Sequence, residues 1–168
     1  ELFSTHDEAV FDYISFRSDL EGMAAERVAN LGSETDLKVI QAIFDKMKVA
    51  HDNKNSSEEA SLDAQFHMAI IEASHNVFLL HMVRSMFEML KKGIFYNRQV
   101  MFSRHTTRGT LLEQHRSICN AIQNRNAKGA RKAIEDHMDF IKTCMQEVKK
   151  AEANEEIAKL RLDHTTTS

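Results

Sequence analysis

Four residues in this chain have the type and spacing of a metal site. Asp63 and His67 stand four apart, which stacks them on one face of a helix, and Ile70 continues that face. His115 is bracketed by Leu111, Ile118 and Ile122 at helical spacing, and His137 by Ile134, Ile141 and Cys144. One carboxylate and three imidazoles, from three different helical segments, are thereby expected to point inward. An inward carboxylate is costly unless it is paired or ligates a cation. Taken singly, each histidine reads as a hydrogen-bonded core residue. Taken with Asp63, the set reads as a divalent metal centre, with zinc foremost and nickel, manganese or iron(II) also suited to nitrogen–oxygen donors.

Arg17 is the second anomaly. It falls on an apolar stripe with Val10, Ile14, Ala24 and Val28, and Glu21 follows one turn later. Two readings are open. The pair closes on itself within the helix, or the guanidinium points into a cavity to clamp a ligand carboxylate. Other polar candidates carry less. His6, His51, His105 and His164 lie near termini or in polar loops and read as solvated, while His75 and His81 flank a helix start. Cys119 and Cys144 lack the spacing of a thiolate zinc knuckle and read as packing residues. No Gly-rich phosphate loop, nucleophile elbow or catalytic cysteine context occurs.

The elements that must position these groups are helices. The chain has no proline, five glycines, nine Met and ten Phe. A first helix is expected from Val10, with Ile14, Ala24, Val28 and Leu31 on one stripe and Tyr13, Phe16, Leu20 and Met23 on another. Gly32 and Ser33 read as a glycine C-cap and a serine N-cap ahead of Leu37, Ile40, Phe44 and Met47. Residues 51–57 read as a loop, with Ser56 or Ser57 capping a helix that carries Leu62, Phe66 and Ile70. His75 and Asn76 mark a junction before a long apolar helix, 77–100, interrupted at Gly93. A polar segment, 103–109, precedes a helix over 111–123, a turn at 124–126 and a last helix from Ala127. The pattern predicts an all-α antiparallel bundle of six to seven helices. Residues 1–150 are expected to form that bundle, and the charged, Thr-ending segment 151–168 to be frayed or disordered.

Length and charge set outer limits. At 168 residues the chain suffices for one domain with its own core. It is 42% hydrophobic, with a mean hydropathy of −0.43. No apolar run approaches the ~20 residues of a membrane span. The N-terminus does not read as a secretory signal, and two cysteines fit a reducing compartment, so a cytoplasmic location is expected. A net charge of −3 leaves no electrostatic footprint for nucleic acid. A first residue other than Met is read as a fragment or processed chain.

Three stretches resemble the FCD effector domain of GntR-type transcription regulators (FadR subfamily). They are Arg17-Ser18-Asp19-Leu20-Glu21 with Ala24-Ala25, Asp63-Ala64-Gln65-Phe66-His67, and Glu72-Ala73-Ser74-His75-Asn76. Glu113-Gln114-His115 with Ala121-Ile122, Gly129-Ala130-Arg131 and Asp136-His137-Met138 agree, so the resemblance runs from about Asp12 to Val148. It implies that Asp63, His67, His115 and His137 bind a divalent metal, and that Arg17, Asn76 and Arg98 line an effector pocket. The run Asn97-Arg98-Gln99-Val100-Met101-Phe102 is most similar to lactate- and pyruvate-responsive members.

The resemblance further implies a homodimer and a ligand-sensing rather than enzymatic role. The expected effector is a small 2-hydroxy or 2-oxo carboxylate, lactate first. DNA would be read only through a winged helix-turn-helix domain that this chain lacks. The rival readings are a metal-dependent hydrolase built on the same centre and a plain interaction bundle with structural histidines.

Overall fold

Without proline, helices here must end on caps and turns, and the same turn recurs. Lys54, His75 and Arg125 take left-handed backbone angles, with φ of 54°, 51° and 57°. Each is followed by an asparagine whose side chain caps the next helix. Asn55 Oδ1 accepts from Glu58 N at 3.2 Å, Asn76 Oδ1 from Leu79 N at 3.1 Å and Asn126 Oδ1 from Gly129 N at 3.0 Å. At two of these junctions the preceding helix closes in the Schellman pattern, with Asn55 N donating to Ala50 O and Asn126 N to Ala121 O. Asn55 therefore takes the capping role expected of Ser56 or Ser57. The serines are already inside the helix.

The computed structural model describes residues 7–85, 88, 89, 91–94, 98 and 107–166. These comprise α1 (Asp7–Leu31), α2 (Glu34–Asp52), α3 (Ser56–Ala73), α4 (Val77–Ser85), α5 (Thr107–Gln123) and α6 (Ala127–Thr166), with residues 88, 89, 91–94 and 98 also helical. No strand occurs among the described residues. The chain is an all-α bundle, as the sequence predicts. Of the long helix expected over 77–100, α4 and the later helical residues are seen, and the rest lies outside the described residues, as do 103–106, His6 and His105. Residues 107–109, read as polar loop, begin α5.

Ser33 caps α2 in a reciprocal box with Asp36. Gly32, by contrast, is not left-handed. A Cβ there would fall 2.7 Å from Val28 O and 3.2 Å from Leu37 Cδ1, so the glycine serves close approach instead. Gly93 likewise sits where a Cβ would meet the Tyr13 ring at 2.5 Å, which packs its helical stretch on α1 rather than interrupting it.

α1 packs most extensively along α6, α3 against α2, and α5 against both α6 and α2. Lys149 over the Phe11 ring and Arg131 bonded to Glu26 show that α1 and α6 run antiparallel. The core between them holds Val28, Ile40, Phe66, Ile118, Ile122 and Ile134. Of the two stripes on α1, the one with Ile14, Ala24 and Val28 is buried, while Phe16 and Met23 of the other face solvent. The segment 151–166, read as frayed or disordered, continues α6 as an exposed helix through Thr166. Its Ala, Glu, Lys and Leu content favours helix even where the side chains are exposed. His51 is half-buried at the end of α2, not solvated, with Nδ1 3.7 Å from Glu59 Oε2.

Candidate metal centre

Each of the three inward histidines comes from a helix that has other reasons to bury that face. On α3, Glu59, Asp63, His67 and Ile70 lie in one buried row. On α5 the row is Leu111, His115, Ile118 and Ile122, and on α6 it is Ile134, His137 and Ile141. The bundle brings the rows together. His67, His115 and His137 are all buried, and one ring nitrogen from each lies within 4.8 Å of the other two. His115 Nε2 is 3.3 Å from His67 Nε2. Asp63 Oδ1 lies 3.2 Å from His67 Nε2 and 3.5 Å from His115 Nε2. The four residues singled out by spacing are thus brought to one place.

The far side of each ring is held. His115 Nδ1 donates to Leu111 O at 2.7 Å, and His137 Nδ1 to Gln114 Oε1 at 2.8 Å. His67 Nδ1 lies 2.5 Å from Glu21 Oε2, a close ion-pair contact rather than an aligned hydrogen bond. With Nδ1 of His115 and His137 committed, their Nε2 lone pairs face the cluster, which is how protein imidazoles are presented to a metal. His137 Nε2 is buried and makes no hydrogen bond. A buried polar atom without a partner is a cost, and a cation between the rings removes it. Three imidazole nitrogens therefore fit a divalent ion by donor chemistry and by arrangement, with the Asp63 carboxylate beside two of them.

The electrostatics agree. Burial, reinforced by repulsion from the neighbouring imidazoles His115 and His67, holds His137 well below the ordinary histidine value. Burial also lowers His115, against the pull of Asp63. His67 resists its burial because the Glu21 carboxylate raises it. Burial works against the charge of Asp63, yet Arg98 and His115 keep its carboxyl well below the usual range. Glu21, equally buried, is held at about 2 by Arg17 and His67. At neutral pH the site pairs two neutral imidazoles with an ionised carboxylate.

The three residues expected to line an effector pocket are placed differently. Arg17 is 2% exposed, its Nε donating to Glu21 Oε1 at 2.7 Å. Arg98 Nε donates to Asp63 Oδ2 at 2.6 Å, and its Nη1 reaches Glu59 Oε2 at 3.4 Å. Asn76 caps α4 and borders a cleft of about 290 Å³ with Arg27, Asn30 and Leu79, a lining that includes none of the four candidate ligands.

Spacing missed Glu59, Gln114 and Glu21 as partners of the site. Glu59, which bonds both Arg98 and Arg108, was readable as the residue four before Asp63. Gln114, adjacent to His115, lies off the apolar row and gave no periodic signal. Glu21 was legible only as a partner for Arg17.

The FCD domain family matches residues 12–140 of the chain. Among curated relatives, the Glc operon transcriptional activator of Escherichia coli K12 is 31% identical over 150 residues, which are 88% of this chain and 59% of that protein. The putative L-lactate dehydrogenase operon regulatory protein of Escherichia coli K12 is 32% identical over 145 residues, 86% of this chain and 55% of the relative. The chain thus spans between a half and three-fifths of these relatives. Solved structures agree on the fold. A GntR protein of Streptococcus agalactiae superposes with a TM-score of 0.67 at 22% identity, covering 84% of this chain and 63% of that one. The E. coli McbR/YncC structure superposes at 0.66 and 18%, covering 82% and 64%.

Proposed function

The chain belongs to the FCD domain family, and from that premise we propose that it is the ligand-sensing part of a transcription regulator, binding a small carboxylate at a divalent metal centre. The observation that carries this reading is the convergence of three buried imidazoles beside Asp63, with His137 Nε2 left without a protein partner. Asp63, His67, His115 and His137 would hold the ion, zinc first among the candidates. When bound, such an ion supplies open positions for hard oxygen donors, which suits a 2-hydroxy or 2-oxo acid.

One relative is named for an L-lactate dehydrogenase operon, which supports L-lactate as the first acid to test. Of the two readings of Arg17, its buried bond to Glu21 supports the intrahelical pair. DNA binding is assigned to a separate domain, whose spacing in a dimer the effector would bias through the bundle. The hydrolase reading is not favoured. Asp63, Glu21 and Glu59, the buried carboxylates around the cluster, are each engaged by an arginine, so none of them stands ready as a general base.

Calorimetric titration of the zinc-loaded chain with L-lactate, pyruvate and glycolate tests the assignment. At least one acid is expected to bind, and binding should vanish in the metal-stripped protein. Failure of all three would refute the effector class while leaving the metal centre standing.

A further inference from the structure

Five charged or ionisable groups form a continuous buried line through the bundle. Arg17 meets Glu21 at 2.7 Å, Glu21 meets His67 Nδ1 at 2.5 Å, His67 Nε2 meets Asp63 at 3.2 Å, and Asp63 meets Arg98 at 2.6 Å. The first two groups are hard to explain as stabilisers. A buried ion pair repays its desolvation poorly, and apolar residues of similar volume would serve as well or better. Their placement also separates His67 from its neighbours. His115 rests on a neutral backbone carbonyl and His137 on a neutral side-chain amide, whereas His67 alone is backed by a carboxylate.

We propose that the Arg17–Glu21 pair is a positioning device for His67. Glu21 holds the imidazole with its proton on Nδ1 and its Nε2 lone pair aimed at the cluster. Arg17 fixes the Glu21 carboxylate through both oxygens, Nε donating to Oε1 at 2.7 Å and Nη2 to Oε2 at 3.4 Å, which holds Oε2 against the His67 ring. Glu21 and His67 stand on α1 and α3, so the orientation of one ligand depends on how those two helices are seated. The inference rests on the metal-centre reading for its consequence, but the link between Glu21 and His67 does not require an ion. A carboxylate behind a ligating imidazole raises its basicity, and loss of such a partner typically costs 10–100-fold in metal affinity.

The test compares the whole chain with Glu21→Gln, Arg17→Met and the double variant. Two readouts are used: zinc affinity by competition with a chromophoric chelator, and the His67 imidazole resonances in nitrogen-15 spectra of metal-free protein. Glu21→Gln is expected to weaken zinc binding by about 10–100-fold and to move the His67 Nδ1 proton upfield. Arg17→Met should act in the same direction, and the double variant should lose no more than Glu21→Gln alone, because the two act as a unit. A purely structural pair would lower the melting temperature and leave zinc affinity and the His67 resonances unchanged. That result in folded Glu21→Gln overturns the proposal. Should the single variants fail to fold, Arg17→Met with Glu21→Leu removes both charges and carries the same comparison. Should the wild type bind no zinc, the metal reading fails by itself, and unmoved His67 resonances in the variant would overturn the positioning role independently.

Discussion

At the scale of single residues, the site is a contest between burial and charge, and its outcome differs ring by ring. His137 and His115 are depressed, first by burial, while His67 is raised by Glu21 in spite of burial. This has a consequence for acid stability. In the unfolded chain all three take up a proton near the ordinary value of about 6.5. In the native metal-free protein His137 and His115 resist it, so below that pH the unfolded state binds more protons and is favoured. His67 acts in the opposite sense, contributing stability that is present below about 6.5 and lost above it. With His137 displaced furthest and His115 on the same side, the metal-free protein should lose stability as pH falls from 7 to 5. Urea midpoints at the two pH values measure it, and equal midpoints would contradict the ordering. The pairs legible from sequence were those whose two members lie on the same helix. Asp63 and His67, four apart, declared themselves, as did Arg17 and Glu21. The contact between Glu21 and His67 joins positions 46 residues apart and has no local signature.

At the scale of elements, helix periodicity located the helices well, and the errors collect at their ends. A glycine after a helix suggests a left-handed terminus, yet Gly32 is needed for space beside Val28 and Leu37. The left-handed positions are filled instead by Lys54, His75 and Arg125, residues whose composition gives no hint of it. An L-residue in that conformation costs roughly 1–2 kcal/mol that glycine avoids, while glycine adds about 0.5–1 kcal/mol of chain entropy to lose. Lys54 is exposed and its side chain caps nothing in the turn, so Lys54→Gly should stabilise by up to about 1 kcal/mol, read as a rise of a few degrees in melting temperature. A fall would show that the turn depends on the lysine side chain. The end of α6 teaches a different lesson. Charge density suggested a frayed or disordered end, but Glu, Lys, Ala and Leu also favour helix, and the helix persists to Thr166. By length alone α6 spans about 60 Å against about 38 Å for α1.

At the scale of the whole molecule, the bundle leaves apolar side chains outside. Phe16 and Met23 on α1 and Val77, Phe78 and Met82 on α4 are exposed, Phe78 by 76%. Exposed apolar side chains of this kind are available to an interface, and the family resemblance leads us to propose a homodimer. Sedimentation at tens of micromolar should give a dimer, and Phe78→Asp should shift it toward monomer; a monomeric wild type contradicts the surface assignment. The proposal common to the three scales is that burial of His67, His115 and His137 serves a cation. A core of three merely hydrogen-bonded histidines would explain the same packing without one. The direct discriminator is native mass spectrometry of the untreated chain, repeated after incubation with zinc or manganese, beside His137→Ala. One divalent ion per chain is predicted for the wild type, with a metal-dependent rise in melting temperature that His137→Ala abolishes. At an ion concentration a hundredfold above the dissociation constant that rise corresponds to about 2.7 kcal/mol. A wild-type chain that remains at its bare mass in every case, with no thermal shift, would contradict the metal centre outright.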